Sequence, residues 1–211
     1  ALDYIRGKLR IDPGANLFGI DIAKARTEFL KYAPHYKSME ITRILPDTMR
    51  IALVEREPIA RFGLKGGFLV DAEGYVFGPR RRVSAQPSIQ GYKGPVLQPG
   101  NRLDGLASDA VAVLAFCRQA DLDEDIHIES VDVTGDFGGR KDSLRLHLKN
   151  RISVDLWWDR SNGDVINDDL HDRLSFLRSI IRKERANGHD LESVNLTLDA
   201  YRRNAPTKFW E

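Results

Sequence analysis

Five histidines are the first candidates for metal binding or proton transfer: His35, His127, His147, His171 and His189. They lie far apart along the chain, none has a partner at ligand spacing, and no His-Glu-x-x-His run occurs. They read as surface or structural histidines. Cys117 is the only cysteine, so an intrachain disulfide and a multi-cysteine metal site are both excluded. It falls at an apolar helical spacing and reads as a buried structural thiol. Asp159 to Asp169 has the look of a calcium loop, but such a loop needs glycine at its sixth position and glutamate at its twelfth. Those positions hold Asp164 and Leu170, so the segment reads as a helix N-terminus. Asp121 to Glu129 reads as a solvated acidic turn. Arg80-Arg81-Arg82 is short and lacks interleaved aromatics, which argues against nucleic acid. No phosphate-binding loop, dinucleotide fingerprint or nucleophile elbow is present, and no spacing marks a triad or a carboxylate pair. Nothing in these residues supports an enzyme, a cofactor, a metal or a small-molecule substrate.

The elements that would position any site come next. At 211 residues the chain has room for one or two domains. With 42% hydrophobic and 30% charged residues it is globular rather than disordered. The net charge of +1 conceals an asymmetry: residues 1–103 carry a net +7 and residues 104–211 a net −6. Two halves with different neighbours fit that split. The apolar run around Val111 to Phe116 is far short of the ~20 residues of a membrane-spanning helix. The chain opens directly in a helical pattern, and the expectation is the outer part of a longer protein.

Ala1 to Leu9 patterns as a short helix with Leu2, Ile5 and Leu9 on one face. Asp21 is a good N-cap for a second helix, striped by Ile22, Ala25, Phe29, Leu30 and Ala33 and stopped by Pro34. Two alternating runs, Met39 to Leu45 and Met49 to Leu53, flank the turn Pro46-Asp47. Ile59 to Phe62 and Phe68 to Val70 bracket Gly66-Gly67 as a second hairpin, and Asp71 to Gly74 forms a turn. Arg80 to Gly100 reads as a loop or linker. A helix follows from Leu106, then strands around Ile126–Val133, Leu144–Leu148 and Ile152–Leu156. A long helix is expected from Val165 to Ala186, with Ile166, Leu170, Leu174, Leu177 and Ile181 facing the core. A last strand is expected from Leu191 to Leu198. The fold class is α+β: two helices on a short sheet, then a mostly antiparallel β region with two helices.

The C-terminal end is the most suggestive stretch. A terminal strand can leave unpaired N–H and C=O groups at a sheet edge. Such an edge accepts a partner's extended segment. The tail beyond it carries Tyr201, Arg203, Phe209 and Trp210, residue types enriched at interface hot spots. The same tail can equally wrap back over its own core or fray.

Four motifs in order carry a family resemblance: Gly14-x-Asn16-Leu17-Phe18-x-Ile20-Asp21, Arg43-x-Leu45-Pro46-Asp47-Thr48-Met49, Val54-Glu55-Arg56-Glu57-Pro58-Ile59-Ala60-Arg61-Phe62 and Val70-Asp71-Ala72-Glu73-Gly74-x-Val76-Phe77. Together they resemble the bacterial cell-division family FtsQ, called DivIB in some lineages. The later chain matches more loosely, through Leu144 to Val154, Arg173-Leu174 and Val194-Asn195-Leu196.

The resemblance implies a POTRA-like domain over residues 1–57, its first strand missing, a β domain over 58–198 and a tail over 199–211. It implies a single-pass protein of the cell inner membrane, anchored by an N-terminal span absent here, with this region extracytoplasmic at the division septum. The role implied is a scaffold that binds FtsB-like and FtsL-like proteins and other divisome members through the last strand. By position the partner-binding residues are Val194, Asn195, Leu196, Thr197 and Leu198, with Tyr201, Arg202 and Trp210 as displaced contacts. Arg43, Pro46, Asp47, Glu55, Arg56, Pro58, Asp71 and Gly74 are implied as structural. A POTRA module of an outer-membrane assembly machine and a hydrolytic enzyme are the rival readings.

Overall fold

The computed structural model describes residues 2–9, 11, 14, 16, 18–63, 67–78, 86–122, 124–160, 164–197 and 207–209. Gly66, the Arg80–Arg82 triplet, Leu198, Tyr201, Arg202, Arg203 and Trp210 lie outside the described residues.

The first unit is two helices on a two-stranded sheet. Helix α1 spans Leu2–Gly7 and α2 spans Ile22–Tyr32. Asp21 caps α2 as its type predicts, accepting the Lys24 N–H at 3.0 Å. Strands β1 (Tyr36–Ile44) and β2 (Thr48–Glu55) pair antiparallel about a turn whose Leu45–Pro46 peptide is cis. Ile5, Phe29, Ala33, Tyr36 and Met39 form a small closed core, with Ile41, Ile51 and Leu53 only partly covered beside it. Among the described residues, no strand pairs with the outer edge of β2.

The second sheet has nine strands among the described residues: β3 (Pro58–Phe62), β4 (Phe68–Asp71), β5 (Val76–Phe77), β6 (Ser88–Gln90), β7 (Ile128–Phe137), β8 (Arg140–Leu148), β9 (Ser153–Leu156), β10 (Leu191–Leu196) and β11 (Thr207–Phe209). Their order is β11-β10-β9-β8-β7-β6-β3-β4-β5. The pairings β3–β6, β6–β7 and β9–β10 are parallel and the rest antiparallel. Helices α3 (Gly105–Gln119) and α4 (Asp168–Ala186) supply the crossovers that two of these parallel pairs require. Cys117 is buried in the core, and Leu170, Leu174, Leu177 and Ile181 form the buried face of α4.

Three local expectations change. The stretch read as a loop from Arg80 to Gly100 contains β6, which joins the two halves of the large sheet. Only three residues long, with buried Ile89 between Ser88 and Gln90, it is too brief for periodicity to show. Helix α4 starts three residues later than Val165. Asn167 caps it by accepting the Leu170 N–H, while the Trp158 indole N–H takes the Val165 carbonyl at 2.6 Å. Ile166 is therefore half exposed rather than on the core face. Finally, Asp125 is no solvated turn residue: Arg178 and Arg182 both reach its carboxylate at 2.6 Å.

That last contact has a pH signature. Hydrogen bonds from Arg182, and then Arg178, hold the Asp125 carboxyl below its ordinary value of 3.8. A lowered native pKa stabilises the fold above the unfolded value, and the contribution disappears as pH falls through the native one. Asp125→Asn should therefore lower the melting temperature at pH 7, and the gap from the parent should close only below pH 3.8. Thermal melts across pH 2 to 7 read this directly (roughly the carboxylate range). A gap unchanged at the acid end would show that the ion pairs contribute nothing.

Candidate functional site at the C-terminal sheet edge

The strand expected to end the chain is flanked on both sides. β10 lies parallel to β9 on one side, with Val194 opposite Val154 and Leu196 opposite Leu156. On its other side β11 pairs antiparallel, Leu191 opposite Phe209 and Val194 opposite Thr207. Over Leu191 to Val194 the edge of the sheet is thus β11 rather than β10. A three-residue strand beyond a long connection has no sequence period of its own, which is why it escaped the sequence reading. The aromatic Phe209 two residues before the chain end was its one visible trace.

Of the partner-binding candidates, Val194 and Leu196 are core residues, 1% and 0% exposed. Asn195 and Thr197 close the strand locally. The Thr197 N–H donates to the Asn195 side chain at 2.9 Å, and its hydroxyl lies 3.1 Å from the Gly138 carbonyl. That consumes the backbone donor that would have carried the ladder to Leu198. Gly138 has φ +59, and a Cβ there would sit 2.9 Å from the Thr197 side chain. Arg173, buried, donates to the Leu196 carbonyl at 2.6 Å and to Asp169 at 3.0 Å. The end of β10 is therefore held from α4 and from the β7–β8 turn.

The structural candidates cluster at two places. Arg43 donates to the Ile20 carbonyl at 2.6 Å, tying the β1–β2 hairpin to the start of α2. Asp47 accepts the Thr48 hydroxyl at 3.0 Å within the turn that holds Pro46. At the other end, Glu55 closes β2 opposite Tyr36, and Pro58 opens β3. Between them Arg56 spans both sheets. Its Nε donates to the Pro34 carbonyl at 3.0 Å, its Nη1 to the Asp71 carboxylate, and its plane lies 4.2 Å from the Tyr75 ring centre. Asp71 is buried and also accepts the Tyr75 N–H at 2.8 Å. Gly74, at φ +82, makes that tight turn possible and gives its carbonyl to the Leu103 N–H at 2.9 Å. An exposed second contact, Lys37 to Glu73 at 2.6 Å, flanks it.

Glu55, Glu57, Asp71 and Glu73 share an open groove of about 430 Å³ beside this joint. A general acid would need a raised pKa there. Lys37 instead draws the Glu73 carboxyl down, and Arg56 claims Asp71. Asp109 is the carboxyl that burial pushes up, but it faces Arg160 at 3.0 Å, away from that groove. Among the described residues no three His, Cys, Asp or Glu side chains converge as metal ligands.

A family model described as POTRA domain, FtsQ-type, matches residues 2–56. The Cell division protein FtsQ of Neisseria meningitidis serogroup B is 34% identical over 104 residues, covering 49% of this chain and 40% of that protein. The protein of the same name from Anaeromyxobacter sp. (strain K) is 26% identical over 192 residues, 88% of this chain and 59% of that one. A third, from Bartonella bacilliformis, is 38% identical over 72 residues, 34% and 23% of the two chains. The chain is similar to proteins of the FtsQ family. Its N-terminal unit is an FtsQ-type POTRA domain, and the fold as a whole is α+β. The chain spans less than two thirds of the length of these FtsQ relatives. The POTRA match ends at Arg56, the residue that bridges the two sheets.

Proposed function

We propose that this chain is the extracytoplasmic part of a non-enzymatic division scaffold, held to the inner membrane by an N-terminal span and acting at the septum through protein contacts. Residues 1–57 form the POTRA domain, 58–198 the β domain and 199–211 the tail. A strand preceding α1 would lie along the open outer edge of β2. FtsB-like and FtsL-like proteins are the partners, taken up as an added strand.

The observation that carries this reading is the position of β11. It is the outermost strand of a nine-stranded sheet, and among the described residues nothing pairs with its outer side. An open ladder of N–H and C=O groups is the recognition element of strand addition. β10, with Val194 to Leu196, then serves as the template that orients β11 rather than as the contact itself.

Removing residues 205–211 tests this. The full chain should retain FtsB-like and FtsL-like proteins in co-purification, and the truncated chain should lose at least about tenfold in affinity, or about 1.4 kcal/mol. Its core should still melt cooperatively, since the tail contributes one short strand. Undiminished capture by a folded truncated chain would show that the edge of β11 is not the contact.

A further inference from the structure

The end of the POTRA domain opposite the joint carries three stranded apolar side chains. Phe18 is 72% exposed, Leu45 67% and Ile44 38%. Phe18 stands in the connection between α1 and α2, and Ile44 and Leu45 at the tip of the β1–β2 hairpin. The Arg43–Ile20 hydrogen bond fastens these two loops to each other. Phe18 is presented by a built turn: Asn16 accepts the Phe18 N–H with its side chain and the Gly19 N–H with its carbonyl, both at 3.0 Å. Neither loop tip is slack.

Direction follows from the elements. α2 starts at this end and finishes at Tyr32, next to the joint residue Pro34, whereas β1 starts at the joint and finishes at Ile44. The apolar tips therefore point away from the large sheet. Phe18 and Leu45, 72% and 67% exposed, stand largely clear of the surrounding surface. A lipid headgroup–acyl boundary accepts protruding apolar side chains without shape matching. Exposed Lys24 and Arg50 and half-buried Arg43 flank the tips, against Asp21 and Asp47, a composition that suits an anionic lipid surface.

The proposed anchor points the same way. Helix α1 begins beside the C-terminal end of α2, where Tyr4 stacks on Tyr32 at 3.8 Å. A strand that lies along β2 and runs into α1 must therefore enter from the hairpin end. We infer that Phe18, Ile44 and Leu45 seat the POTRA domain on the lipid surface to which the chain is anchored. This rests on the membrane-anchored reading above.

The test tethers the chain by an N-terminal histidine tag to phosphatidylethanolamine–phosphatidylglycerol vesicles containing nickel-chelating lipid. Phe18→Cys and Leu45→Cys each carry an environment-sensitive NBD label, with Val96→Cys, 96% exposed in the β domain, as the control. Cys117 is buried and stays unlabelled in the native chain. The tip labels should brighten roughly twofold, shift to the blue and be quenched by brominated lipid, as for a probe entering the acyl boundary. The Val96 label should not change. Tip labels that behave like Val96 overturn the inference. So do tip labels that change only when division partners are added and ignore brominated lipid, since that outcome marks a protein contact. Artificial tethering keeps the test independent of the natural anchor. That anchor is tested by whether the full-length Phe18→Ser, Leu45→Ser protein still sediments with membranes.

Discussion

Arg56→Ala should lower the stability of this protein by about 3–5 kcal/mol, the cost of removing one partner from a buried ion pair. Asp71 has a side chain only 3% exposed and Arg56 one 12% exposed, so neither charge has ready access to water. Without the guanidinium, Asp71 keeps the Tyr75 N–H as a donor but loses its counter-charge. The Pro34 carbonyl loses its donor too, and the face of Tyr75 loses its cation. Each of these groups belongs to a different segment: Pro34 follows α2, Asp71 ends β4 and Tyr75 precedes β5. A second effect should therefore accompany the first, a wider spread of orientations between the POTRA domain and the β domain. Urea unfolding reads the first and small-angle scattering the second. Arg56→Lys keeps the charge but not the planar fork that serves Pro34 and Asp71 together, so it should fall between parent and alanine. A loss within about 0.5 kcal/mol, the range of an ordinary surface substitution, would sink the claim that Arg56 holds the joint.

The second large effect is expected at Trp158. Trp158→Ala should cost about 3–5 kcal/mol, as for a large core side chain whose site cannot fully collapse. The indole is fully buried and donates to the Val165 carbonyl at 2.6 Å, and Arg160 stacks 3.9 Å above it. This bond stops the chain three residues before α4 begins, so Trp158 fixes where the helix starts. Through Leu170, Leu174 and Arg173 on that helix, the same residue bears on β10. Trp158→Phe separates packing from the hydrogen bond. It keeps much of the volume and should cost about 1–3 kcal/mol, the price of an unpaired buried acceptor. Chemical denaturation of both variants checks the pair. Equal losses from phenylalanine and alanine would assign the whole effect to the N–H.

Much of this architecture was legible in local pattern. The stripe Ala25, Phe29 and Ala33, the cap Asp21, the alternation of Leu144, Leu146 and Leu148, and the face Leu170 to Ile181 each lie in elements long enough to show their period. The Arg43 to Gly74 motifs were legible as a family signature, and the FtsQ-type POTRA match covers them as far as Arg56. Short elements were not legible. β6 and β11 are three residues each, and a strand that brief is defined by the neighbours it pairs with. The acidic run around Asp125 misled for the same reason. Its partners Arg178 and Arg182 lie more than fifty residues away, and charge along a sequence does not reveal what faces it.

What the sequence determined by itself was therefore the set of long helices and strands, the α+β class and the FtsQ resemblance, because periodicity, capping and turn chemistry act within a few residues. The tertiary structure decided which surfaces are left to bind. It placed β11 outside β10 and moved the sheet edge away from Leu191 to Val194. It turned Arg56 from one member of a charged triplet into the bridge between two sheets, and it gathered Phe18, Ile44 and Leu45 at one end. These outcomes depend on pairing and burial between residues distant in sequence, which no local pattern specifies.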